Sequence, residues 1–110
     1  MARQWIQIME DESALDTLST ELGPVEVSNN VEVTYYIVGG PGVASGAVQI
    51  EEAHVSRYAG TWAPNGAAIT VAADTVKTVK VSGISEIQRA RISTVLAGGT
   101  VSIWALVGGR

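Results

Sequence analysis

The stretch from Gly46 to Val107 reads as short β-strands punctuated by Thr61-Trp62-Ala63-Pro64-Asn65-Gly66, Arg89-Ala90-Arg91-Ile92-Ser93 and Gly98-Gly99-Thr100-Val101-Ser102. Turn signals recur about every 8–12 residues, the spacing of an all-β sandwich or barrel. Val and Ala dominate the apolar residues, Phe is absent and Gly occurs 12 times. Valine suits a pleated, half-buried surface and glycine suits tight turns, so a helical bundle is disfavoured. The expectation is an antiparallel β-sandwich, jelly-roll or Ig-like, of about seven or eight strands.

Individual strands follow from period-two alternation. In residues 31–38, Val31, Val33, Tyr35 and Ile37 share one face, and Glu32, Thr34 and Tyr36 share the other. Residues 47–54 form the next strand, with Val48 and Ile50 inward, and the adjacent Glu51 and Glu52 suggest a bulge. Strands are expected over 67–72, 75–82, 85–95 and 100–107, the last two joined as a hairpin by Ala97-Gly98-Gly99. Residues 3–9 alternate loosely around Trp5, Ile6 and Ile8 and read as a first strand or as an arm that adds to a neighbour's sheet, and the segment behind them differs. Leu15, Leu18 and Leu22 recur at helical spacing behind Ser13 as a cap, and Gly23-Pro24 would stop such a turn. A long polar loop is the competing reading. The predicted division is an irregular acidic arm over residues 1–30 and a sandwich over 31–110.

At 110 residues the chain is long enough for one core. With no cysteine, disulfides and thiolate metal sites are excluded, and assembly in the cytoplasm is favoured. No apolar run reaches the roughly 18 residues of a membrane span, and the first residues lack a signal-peptide core. Residues 1–55 hold nine acids and one base, whereas residues 56–110 hold six bases and two acids. This asymmetry either orients subunits or cancels across one sandwich. The overall acidity argues against nucleic-acid binding.

Catalytic constellations are scarce. His54 follows Glu51 and Glu52, but there is no nucleophile elbow and no Gly-Lys-Ser/Thr phosphate loop. Glu10, Asp11, Glu12 and Asp16 lack EF-hand spacing and read as a solvated acidic loop. The expectation is a protein with no enzymatic activity and no cofactor. Arg89 and Arg91 share a strand face with Ile87 and Ser93. They form either a contact for a partner's acids or cross-strand pairs with Glu51 or Glu52. On the last strand, Val101, Ile103, Ala105 and Val107 face one way, whereas Trp104 and Leu106 face the other. A strand apolar on both sides needs a second cover, supplied by the Trp5 segment or by another subunit.

The order Gly46-Ala47-Val48-Gln49-Ile50-Glu51-Glu52-Ala53, Tyr58-Ala59-Gly60-Thr61-Trp62-Ala63-Pro64, Ile87-Gln88-Arg89-Ala90-Arg91-Ile92 and Gly98-Gly99-Thr100-Val101-Ser102-Ile103 resembles small β-sandwich virion proteins of tailed bacteriophages. Residues 1–30 fall outside the likeness. The resemblance implies a capsid decoration, or cement, protein on the outer surface of the virion, bound to the major capsid protein. It also implies a homo-oligomer, a trimer being favoured. Trp5, Trp104, Leu106, Arg89 and Arg91 are then the expected association residues. The alternative is a carbohydrate-binding module of a tail or fibre, with Tyr58 and Trp62 as its sugar platform.

Overall fold

The computed structural model describes residues 3–22, 32–81 and 87–108. These residues form eight strands: β1 (Arg3–Glu12), β2 (Glu32–Gly39), β3 (Ser45–Ala53), β4 (Ala63–Pro64), β5 (Ile69–Thr70), β6 (Val76–Val81), β7 (Ile87–Ala97) and β8 (Val101–Gly108). No helix occurs among the described residues. The protein is an antiparallel β-sandwich, as the turn spacing and valine content predict.

One sheet has the order β1-β8-β2-β6. In the other, β3 is flanked by β7 on one edge and by both β4 and β5 on the other. Leu18 and Leu22 bridge to Arg91 and Gln88, so the segment after β1 lies along the remaining edge of β7. Counting that segment, the chain passes from one sheet to the other at every connection except those among β3, β4 and β5. Two four-membered sheets wound this way form a jelly roll.

Alternation places Val33, Tyr35 and Ile37 of β2 and Val101, Ile103, Ala105 and Val107 of β8 against Val48 and Ile50 of β3 and Ala90 and Ile92 of β7. Each valine or isoleucine removed from water here contributes about 1.5–3 kcal/mol. Tyr35, the largest fully buried side chain, carries a hydroxyl into this core and satisfies it on Gln88.

Several elements differ from the sequence expectation. The leucine spacing at 15, 18 and 22 is not helical. Backbone N–H groups of Asp16, Ser19 and Leu22 donate to carbonyls of Ile92, Ala90 and Gln88, so β7 takes the bonds a helix would have closed internally. Only Leu22 of the three leucines is buried. Gly23 and Pro24 lie outside the described residues. Within the segment expected to be an irregular arm, β1 is an integral strand of the first sheet, the first of the two readings of residues 3–9, and residues 18–22 join the second sheet.

The expected hairpin between β7 and β8 is a crossover, because β7 pairs with β3 and β8 pairs with β1 and β2. Gly98 makes this link possible. It sits at φ +85, and a Cβ there would meet the Gly42 carbonyl oxygen at 2.3 Å. Gly42, also at φ +85, stands in the reciprocal position against the Gly98 carbonyl. The two loops pack backbone to backbone at one end of the sandwich.

Finally, Glu51 and Glu52 lie in an unbroken register from Val48↔Ile92 to Ala53↔Ile87. The irregularity falls at Ser45–Val48, where Gly46 at φ +145 leaves room for Leu96. The strand predicted over 67–72 pairs only at Ile69–Thr70.

Candidate functional site

The outer face of the first sheet carries the apolar residues that the core does not use. Strand register aligns Gln7, Trp104, Tyr36 and Thr78 in one lateral row, and Trp5, Leu106, Thr34 and Lys80 in the next. Ser102, Val38 and Val76 form a third. Trp5 is 56% exposed, Val76 55% and Trp104 37%. The Trp5 ring lies 5.0 Å from that of Tyr36, although β8 separates their strands. The pair therefore closes over Leu106, the β8 residue opposite both Trp5 and Thr34, and Leu106 is buried.

The expected association residues Trp5, Trp104 and Leu106 thus lie together, and the Trp5 segment of the same chain covers Leu106. Tyr36, Val38 and Val76 extend the face. Their membership follows from the register of β2 and β6, which no local pattern reveals. At the β1 margin the chain turns at Asp11, which has φ 48. Its N–H donates to Ser102 Oγ at 3.0 Å, and its Oδ1 accepts from the hydroxyls of Thr100 and Ser102. These bonds fix the acidic end of β1 against β8.

Arg89 and Arg91 lie on the other sheet. Arg89 Nε donates to Glu51 Oε1 at 3.0 Å and Arg91 Nε to Glu51 Oε2 at 2.7 Å. Arg91 also reaches Asp16 at 2.9 Å. The Glu51 hydrogen bond holds the Arg91 guanidinium above its ordinary pKa, burial opposes this, and Asp16 adds to it. The two arginines are committed within the chain, in the cross-strand arrangement that was one of their two readings. Glu51 is buried because two guanidinium groups meet its two oxygens.

Trp62 lies against the same cluster. It is buried, its Nε1–H donates to the Tyr58 carbonyl at 2.8 Å, and the Arg89 guanidinium carbon sits 3.8 Å from its ring centroid. That arrangement anchors the 54–62 loop and leaves Trp62 no open face for a sugar ring. Tyr58 is half-buried, with its ring edge-on to His54 at 4.9 Å. His54 sits just past the end of β3, while both oxygens of Glu51 point to the arginines. Among the described residues, no group of three or more His, Cys, Asp or Glu side chains is placed to hold a metal ion.

No family model and no curated protein matches the chain. One solved structure aligns with 98% of this chain and 89% of its own, at 14% identity and a TM-score of 0.44. It belongs to the Bacillus endospore appendages, which form disulfide-linked pili.

Proposed function

We propose that this chain is a structural virion protein that decorates a phage capsid. It docks on the major capsid protein through the outer face of its first sheet and stiffens the shell by bridging subunits. One observation carries the reading: Trp5, Tyr36, Trp104, Val38 and Val76 form a continuous, partly exposed face on a rigid sheet. Large aromatics in such a setting are typical interface anchors. Many copies, each making modest contacts with two shell subunits, would act together.

The test is mass spectrometry of purified virions from the source, followed by cosedimentation of the purified chain with heads lacking it. The chain should be present in stoichiometric amounts and should pellet with the heads. Its absence from virions, or failure to pellet, would sink the reading. The carbohydrate alternative depends on Trp62, whose burial argues against it.

A further inference from the structure

We propose that copies of this chain join edge to edge: β1 of one copy adds to β6 of the next and continues the first sheet between molecules. The strand order makes β1 and β6 the two outer strands of that sheet. Every neighbouring pair in it is antiparallel, and the sheet has four strands. β1 and β6 therefore run in opposite directions. Two copies placed side by side in the same orientation present an antiparallel pair, with no inversion of either molecule. Among the described residues, no strand pairs with the outer edge of either.

The lateral rows select a register. Extending them straight through the junction sets Gln7 against Thr78, Ile6 against Val79 and Trp5 against Lys80 of the next copy. The faces then agree, as the two-residue period requires. Ile6 and Val79 both sit partly buried at opposite margins of the core, and the junction brings them together. On the outer face, the Lys80 ammonium would meet the exposed Trp5 ring, a cation–π contact. Glu10, Asp11 and Glu12 lie beyond the paired residues, and Asp11 is bonded to β8 within its own copy.

The pairing also has a built-in end. The Ile8 carbonyl already accepts the Thr20 N–H at 2.9 Å, which closes the β1 edge beyond Gln7. On β6 the next residue is Lys77, opposite Ile37 on the core-facing side. An inward charge on an outer strand discourages further pairing. The ladder is confined to Gln4–Gln7 against Thr78–Val81. Because the two edges differ, the contact is head-to-tail and either closes into a ring or runs on as a filament. It involves only copies of this chain and stands whether or not the capsid reading does.

Single cysteine variants test this directly, since the chain has no cysteine of its own. Gln7→Cys and Thr78→Cys are prepared separately and treated with a short bismaleimide, alone and as an equimolar mixture. Within one molecule these positions are three strands apart, about 14 Å, so a short linker reports contacts between copies. The expected result is a cross-linked dimer in the mixture and little in either variant alone. Lys80→Glu, which replaces the cation over Trp5 by an anion, should weaken the association of the native chain in sedimentation. Dimers of equal yield in the single variants would indicate a symmetric contact and overturn the proposal. So would equal cross-linking of Gln7→Cys with Val95→Cys, on the opposite sheet, or sedimentation of the native chain as a monomer at its highest soluble concentration.

Discussion

Tyr35 on β2 donates its phenolic hydrogen to Gln88 Oε1 on β7 at 2.6 Å, tying the two sheets together through the core. Both residues are essentially inaccessible to water. Tyr35→Phe keeps the ring and removes the donor, leaving the amide oxygen without that bond in an apolar setting. The expected cost is about 1–3 kcal/mol. Urea unfolding checks it: the midpoint should fall with an unchanged slope.

The same hydroxyl gives an alkaline signature. Burial first, and the charge of Glu52 second, push the Tyr35 phenol well above its ordinary value of 10.0. The unfolded chain therefore releases this proton at lower pH than the folded one. The group's contribution is complete below about pH 10 and declines as pH rises from there towards the folded value. Melting temperatures followed upward from about pH 9 should drop less steeply in Tyr35→Phe than in the native chain. Parallel curves would show that Tyr35 carries none of the slope.

Glu51 and Asp16 predict opposite outcomes although both pair with Arg91. The Glu51 side chain is 7% exposed and holds two guanidinium groups, whereas Asp16 is 68% exposed. Glu51→Gln removes the charge between two half-buried arginines and should cost about 3 kcal/mol. Asp16→Asn breaks a water-screened pair and should cost about 0–1 kcal/mol. Denaturant titrations of the two variants decide whether burial or the mere count of ion pairs sets the energetics.

At the crossover between sheets, Gly98→Ala should destabilise by at least about 1–3 kcal/mol from the left-handed backbone alone. Its Cβ would also overlap the Gly42 carbonyl. Gly66 is the control. It too has positive φ, 76, but a Cβ there meets nothing within 4 Å, so Gly66→Ala should show the backbone cost without the clash. A larger loss of melting temperature in Gly98→Ala separates the two effects.

Strand faces are legible from sequence wherever alternation is local. Val33, Tyr35 and Ile37 point inward as their spacing predicts, and so do Val48 and Ile50. Pairing is not legible in the same way. Ala97-Gly98-Gly99 has hairpin composition, yet the glycines serve a crossover held against a loop more than fifty residues earlier in the chain. The leucines at 15, 18 and 22 mimic a helix, because three- and four-residue spacing also arises when an irregular edge segment bridges to β7 only at intervals. Trp104 and Leu106 betray the second apolar face. Tyr36, Val38 and Val76 join it only through register across β8, β2 and β6, which depends on contacts distant in sequence. The burial of Trp62 was hidden for a related reason, since its partner Arg89 comes from β7.

The outer face of the first sheet supplies the prediction that bears on function. Trp5 keeps over half of its surface in water and Trp104 over a third. Trp5→Ser should cost about 1 kcal/mol of stability and Trp104→Ser about 2 kcal/mol, through lost contact with neighbours such as Tyr36 and Leu106. An aromatic anchor at the centre of an interface is worth about 2 kcal/mol or more to binding, which is about a 30-fold loss of affinity. Trp5→Ser should therefore melt close to the native chain and Trp104→Ser somewhat below it, yet both should stay folded at the assay temperature and bind virion heads far more weakly in a cosedimentation isotherm. Thr94→Ser, on the second sheet, should match the native chain in both measurements. Equal head binding by all three variants would remove this face as the docking surface, and a fall in melting temperature that tracked the loss of binding would assign the tryptophans to stability instead.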